Sequence, residues 1–385
     1  MNKLRYILST LFLLFAAGLP VMAQDASDGT EEETNAAMES GTATEGVDAV
    51  GLIFGHIGDA YEYHITEIGG HPVSVPLPVI VHSPERGWFC FSSAKIAHGS
   101  TYNGFFISQE EKYNGKVVER NAQGELVRPF DLSITKNVFA LLLSSALLLI
   151  IFLSMAHAYK KNPMGVPSKG RSMLEAVILY LDADIIRPAL GKKSVRFAPY
   201  LLTVFFFILL NNLMGLVPVF PLGANLTGNI SVTLVLALFT YIITNVFGTK
   251  TYWKDIFWPE VPVFLKTPVF PLMQIIEFIS TLTKPIALMI RLFANIFAGH
   301  MIILVLISLI FIFTAVFQSA AVGGGTAVLS VLFSVFMYCL ELLVAFIQAY
   351  VFTMLSAIFI GLAQAEHEEG HEKAAPVIAE NNQQS

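Results

Sequence analysis

IIEFISTLTKPIALMIRLFANIFAGHMIILVLISLIFIFTAVF, residues 275–317, carries only three formally charged side chains in 43 residues: Glu277, Lys284 and Arg291. As a single helix it would be about 65 Å long, roughly twice the hydrocarbon thickness of a bilayer. Such a segment either breaks or runs strongly inclined. No polar turn divides it and Pro285 is its one strong breaker. The expectation is a long, inclined helix, kinked if anywhere at Pro285.

Other apolar runs of spanning length lie at about 135–156, 197–221, 229–248 and 327–363. Gly323, Gly324 and Gly325 are expected to make a tight return between the last two helices. The chain is 55% hydrophobic and 14% charged, a balance typical of multi-span membrane proteins and rare in soluble ones. Its formal charge of -6 comes largely from acidic stretches near the two ends, so it says little about ligands of the core, and nucleic acid is excluded as an expected partner.

At the start, Lys3 and Arg5 precede an apolar stretch ending in Val21-Met22-Ala23, the pattern of a cleaved signal peptide over residues 1–23. Residues 24–50 are acidic and poor in large apolar side chains, as in a disordered linker. Residues 51–134 hold short apolar runs broken by Gly, Pro, Asn and Ser, and read as a small strand-containing unit outside the membrane. His56, His64, His71, His82 and His98 fall here without zinc-site spacing. No metal or cofactor is expected. Cys90 and Cys339 belong to different environments, so no internal disulfide is expected.

The membrane region is read as residues 135–363, and residues 364–385 as an acidic cytoplasmic tail. Lys160, Lys161, Lys169, Arg171, Arg187, Lys192, Lys193 and Arg196 fill the connection 157–196, whereas 222–228 and 317–328 contain no Lys or Arg. The basic connection is therefore assigned to the cytoplasm and the amino-terminal unit to the outside. Alternation then returns Lys250 and Lys254 to the cytoplasmic side. Within the basic connection, Met173, Leu174, Val177, Ile178 and Leu181 recur at helical spacing, which predicts an amphipathic helix along the cytoplasmic surface.

An arginine well inside a membrane segment costs from ~3 kcal/mol upward, and such groups face protein or a water-filled cavity. At 100° per residue, Glu277, Lys284 and Asn295 fall within about 40° of Arg291, forming one polar stripe, with His300 about 180° away. On the last helix Glu341 and Gln348 share a face within about 20°. Carboxylates and a histidine can pass protons, whereas a guanidinium keeps its proton at any working pH and acts as a fixed barrier. The pattern suggests proton or cation translocation with a gate.

The segment EFISTLTKPIALMIRLFANIFAGHMI from Glu277, with ELLVAFIQAYVFTML at 341–355 and NNLMGLVP at 211–218, resembles subunit a of the F-type ATP synthase membrane sector. The similarity covers roughly residues 135–363, with a weaker likeness at 53–65. It implies an all-α polytopic membrane protein of about five apolar helices, the last two long and near-horizontal around a rotor ring. By position, Arg291 resembles the family's essential stator arginine facing the c-ring carboxylate, with Asn295 and Gln348 as polar neighbours. Glu277 matches a half-channel carboxylate and Asn212 the Asn of an earlier span. At His300 and Glu341 family members exchange histidine and acid, and here the histidine comes first. Gly215 departs from members with an Asp in this neighbourhood and is not assigned to the ion path.

The implied role is a stator in the bacterial inner membrane that passes protons to and from the c-ring. The implied partners are the c subunits, the b-subunit peripheral stalk, the lipid bilayer and, indirectly, the F1 sector. The subunit holds no nucleotide in the family, and the chain contains neither a G-x-x-x-x-G-K-[ST] nor a G-x-G-x-x-G sequence. Two rivals are weaker. His367-Glu368-Glu369-Gly370-His371 formally reads H-E-x-x-H, but it lies in the acidic tail with Gly370 inside it and no third ligand nearby. An autonomous secondary transporter should show two related halves, and no such repeat is visible.

Overall fold

The computed structural model describes residues 59–68, 71–121, 124–162, 169–217, 222–257, 272–317 and 320–365. The expected signal peptide, the acidic linker and the H-E-x-x-H tail lie outside the described residues.

Eight short strands come first: β1 Glu62–Ile68, β2 His71–Pro76, β3 Pro78–Ser83, β4 Gly87–Ser92, β5 Phe105–Ile107, β6 Val117–Arg120, β7 Leu126–Val127 and β8 Phe130–Asp131. They make three antiparallel sheets, ordered β1-β2, β4-β3-β8 and β5-β6-β7. Alternation along β3 buries Val79 and Val81 opposite Phe91 and Phe89, and Tyr61, Ile96, Phe105 and Val117 complete the small core. The Tyr61 hydroxyl donates to Asp131, and burial together with that carboxylate pushes the phenol well above its ordinary range.

Helix α1, Lys136–Lys161, leaves this unit directly, capped by Thr135, whose side chain accepts from the Val138 N–H. It is followed by α2 Lys169–Leu181, a π-helical turn at Asp182–Ile186, α3 Arg187–Leu190 and α4 Ser194–Leu216. Next come α5 Ile230–Val246, α6 Lys250–Phe257, α7 Leu272–Phe317 and α8 Ala320–Gln364. By length and composition, α1, the stretch ending in α4, α7 and α8 can each cross a membrane. The 17-residue α5 turns through 102° into α6 and makes a fifth span if the bent pair is counted as one. The chain is thus mostly helical, with strands confined to its amino-terminal part.

Helices α7 and α8 have 46 and 45 residues, about 69 and 68 Å, so both must incline steeply to remain in a bilayer. Pro285 sits within an unbroken α7. The three consecutive glycines do not form the return. Gly323, Gly324 and Gly325 lie inside the helix α8. In apolar surroundings backbone groups have no water to bond, so a helix is retained even through residues of poor propensity.

The helical core lies where α4, α5, α7 and α8 meet, with Leu201, Phe205 and Ile208 packed near Leu288, Leu292, Phe352 and Ile360. The amphipathic helix is partly drawn into this core. Leu181, Ile185, Ile186 and Leu190 are buried, whereas Met173, expected on the apolar stripe, is 67% exposed. The stripe becomes buried only where α2 reaches the helical core.

Candidate functional site

Arg291 projects from the exposed side of α7, while its neighbours Leu288 and Leu292, on the adjoining face about 60° and 100° round the helix, are fully buried. Around it, α7 and α8 expose Ile286, Ile290, Leu342, Leu343 and Ile347. Arg291 makes no ion pair among the described residues. A lone guanidinium in an apolar band is costly unless a partner meets it. One turn on, the Asn295 Nδ2 donates to Gln348 Oε1 at 2.9 Å, linking α7 to α8 beside the arginine. Gln348 is only 3% exposed, and its Nε2 lacks a hydrogen-bond partner among the described residues.

Nine residues beyond Arg291, His300 Nδ1 lies 2.8 Å from Glu341 Oε1, so the two helices bring the histidine and the acid into direct contact. Glu341 is 5% exposed, and neither of its carboxylate oxygens has a hydrogen-bond partner among the described residues, so the 2.8 Å approach to His300 is a close contact without hydrogen-bond geometry. Gly299 makes room for it: a Cβ there would stand 3.1 Å from Glu341 Oε1. Asn212 of α4, 4% exposed, accepts from Thr227 Oγ1 at 2.6 Å and donates to the Ala345 carbonyl at 3.3 Å, one turn from Glu341. Gly215, left unassigned from the sequence, abuts the pair: a Cβ there would be 3.6 Å from His300 Nε2 and 3.4 Å from the Ala224 carbonyl.

The expected stripe divides. Arg291 and Asn295 are exposed, whereas Glu277 and Lys284 are half-buried, Lys284 beside α5, α6 and α8. There Lys284 Nζ lies 5.7 Å from the centre of the Phe359 ring, and a small pocket is lined by Thr240, Thr244, Asn245, Tyr252, Thr281 and Lys284. The Thr281 hydroxyl returns a hydrogen bond to the Glu277 carbonyl at 3.0 Å. Pro285 has no N–H to donate to the Thr281 carbonyl, so that bond is missing from the ladder of α7. Thr227, Asn225, Tyr252 and Thr281 were not picked out from the sequence. The usable signal was polar residues recurring in an otherwise apolar chain: Asn225 and Thr227 in a connection without Lys or Arg, and Thr281 one turn after Glu277.

Two polar groups therefore flank Arg291 along α7. One, built on His300, Glu341 and Asn212, lies at the α4–α5 connection. The other, around Glu277 and Lys284, lies beside α6. Carboxylate and imidazole groups can exchange protons, whereas a guanidinium keeps its own. Among the described residues, no three His, Cys, Asp or Glu side chains converge as a metal site would require.

The sequence model of the family described as ATP synthase A chain matches residues 138–361, and that of a domain of unknown function, DUF8433, matches residues 52–135. ATP synthase subunit a of one strain of Chlorobium phaeobacteroides (BS1) is 42% identical over 313 residues, 80% of this chain and 87% of that protein. The subunit a of a second strain of that organism is 42% identical over 258 residues, 65% of this chain and 72% of the relative. That of Pelodictyon phaeoclathratiforme is 46% identical over 250 residues, 65% and 70% of the two chains.

Proposed function

The chain belongs to the ATP synthase subunit a family, and from that premise we propose that it is the stator of the F0 proton channel, holding two aqueous half-channels against a c-ring. It is a multi-pass membrane protein and a component of a rotary complex. A proton enters through one polar group, neutralises a c-ring carboxylate, travels round with the rotor and leaves through the other. Rotation couples this flow to ATP synthesis in the F1 sector. The b-subunit stalk holds the stator in place. Proton is the default ion.

Arg291 is the barrier between the half-channels. An ionised rotor carboxylate is attracted to the guanidinium, while a protonated one is not, so each carboxylate must release its proton on approach and cannot carry one straight across. His300 and Glu341, with Asn212, form the group assigned to the outside, because the adjoining 222–228 connection has no Lys or Arg. Glu277 belongs to the half-channel on the cytoplasmic side, near Lys250 and Lys254. Asn295 and Gln348 shape the approach to Arg291. The signal peptide, the external unit at 51–134 and the cytoplasmic tail complete this orientation.

The observation that carries the reading is Arg291 itself: an exposed guanidinium without an ion pair among the described residues, on an apolar face between two polar groups. Its test is ATP-driven acidification of inverted membrane vesicles carrying Arg291→Ala, with assembled complex checked by immunoblot. Pumping should vanish while the complex assembles. Pumping at the normal rate would make the arginine structural and remove the stator reading.

A further inference from the structure

We infer that the amino-terminal β unit is a clamp on the α4–α5 connection, with Tyr63 as the positioning residue that holds the connection against the His300–Glu341 pair. The inference rests on the reading of that pair as part of the proton path.

The clamp has a fixed base. The Lys136 N–H donates to the Ala60 carbonyl at 2.9 Å and the Asn137 N–H to Asp59 Oδ1 at 3.0 Å, so the segment leading into β1 caps the first turn of α1. Two further backbone bonds, Leu132 N–H to the Ile80 carbonyl at 2.8 Å and Ile134 N–H to the Pro78 carbonyl at 3.0 Å, tie the entry to α1 alongside β3. The unit is thus bonded to the membrane helix rather than tethered by a loose linker.

Its working end is Tyr63 on β1. Tyr63 is 4% exposed, and its side chain shares a small apolar core with Ala140 of α1 and Ala224 of the connection. Its hydroxyl donates to the Leu222 carbonyl. Leu222 is half-buried, and its carbonyl, in a connection between membrane helices, gains a fixed partner in this hydroxyl.

From that contact the geometry leads to the pair by short steps. The Ala224 carbonyl faces Gly215, and His300 Nε2 lies against the same glycine. Three residues past Ala224, the Thr227 hydroxyl bonds to Asn212, whose amide bonds to the Ala345 carbonyl on the helix that carries Glu341. Its described residues 222–229 form neither helix nor strand, and the Gly223 N–H donates to the Met214 carbonyl at 2.9 Å. Segments of this kind open most easily. Releasing Tyr63 would let Ala224 and Thr227 move, and with them the walls of the pair.

The test uses the whole complex in inverted vesicles, whose lumen corresponds to the external side. The initial rate of ATP-driven acidification per assembled complex is measured at several luminal pH values for Tyr63→Phe, which keeps the ring and loses the hydroxyl, and for Tyr63→Ala, which loses both. A misplacement of about 1 Å remote from a reacting centre costs up to about 100-fold, so the expected losses are about two- to three-fold for Tyr63→Phe and about ten-fold for Tyr63→Ala. Both should also shift the luminal pH midpoint. Polar groups brought to the pair from α4 and the connection, Asn212, Asn225 and Thr227, do not titrate; Tyr338 of α8 is close enough to Glu341 to feel its charge.

A purely structural role would lower the amount of complex without moving the rate per complex or the midpoint, and that result overturns the clamp. If Tyr63→Ala does not assemble, Tyr63→Phe decides: an unchanged rate per complex and midpoint overturn it. Arg291→Ala, run in parallel, separates the two levels. Retained pumping there removes the stator reading, whereas lost pumping with wild-type behaviour of the Tyr63 variants removes the clamp alone.

Discussion

On one side of Arg291 the polar groups are buried and paired; on the other they are half-buried and loosely grouped. His300 touches Glu341 at 2.8 Å, with Asn212 fixed by two hydrogen bonds nearby. Glu277 and Lys284, by contrast, are half-buried, and Lys284 lines a small pocket that mixes apolar with hydroxyl and amide side chains. The spacing is also unequal: nine residues of α7 separate Arg291 from His300, about 13 Å, and fourteen separate it from Glu277, about 21 Å. A buried pair fixes where a proton can reside, and a change to either member leaves the other without its partner in a low-dielectric site. A hydrated group tolerates a change because water can replace the missing side chain. The proposed half-channels therefore differ in kind, the outer built on a close histidine–carboxylate contact and the inner on half-buried groups without one.

The largest effects should fall on the paired side. His300→Ala or Glu341→Gln is expected to lower ATP-driven acidification by about 100-fold, the scale of a lost positioned acid or base. Exchanging the partners, His300→Glu with Glu341→His, should recover more flux than either single change. Equal loss in both single exchanges and in the double exchange would show that the contact is packing rather than a relay. On the Glu277 side, Glu277→Gln should cost only about three- to ten-fold, since a half-buried amide can still bond water. A loss at Glu277 as deep as that at Glu341 would erase the proposed difference between the two sides.

How much of this could be read from the sequence follows the same division. The helices were legible because each apolar run is long and backbone groups in lipid must be satisfied within the helix. That same rule explains the misreading of Gly323–Gly325, where a soluble-protein turn signal gave way to a helix. The β unit was visible only as strand-containing, because strands of two to seven residues leave little period to count. Arg291 stood out on cost alone. The stripe at 100° per residue grouped Glu277 and Lys284 with Arg291, but in the fold those two are half-buried, Lys284 beside α5 and α6, while Arg291 is exposed, because a helix wrapped by several neighbours offers different partners along one face. The His300–Glu341 contact is 41 residues apart in sequence and was suggested only by family resemblance. Tyr63 and Thr227 gave no sign, since their role depends on a connection whose course no local pattern fixes.

The smallest expected effects test the fine fit of the paired side, at two glycines on its opposite walls. At Gly299 a methyl group would stand 3.1 Å from Glu341 Oε1 and 3.3 Å from its Cδ, so the carboxyl group must shift by a few tenths of an ångström. The carboxyl is buried and held against His300, with little space to move. Gly299→Ala should therefore lower ATP-driven acidification by about three- to five-fold through a poorer pair geometry. At Gly215 the methyl would meet the Ala224 carbonyl at 3.4 Å and His300 Nε2 at 3.6 Å, ordinary contact distances. Gly215→Ala should pump within about two-fold of wild type, since well-filled space at van der Waals distance costs little. If Gly215→Ala were the more damaging of the two, the wall formed by α4 and its connection would be tighter than the wall formed by α8. The outer relay would then be limited by the connection that Tyr63 holds rather than by the contact between α7 and α8.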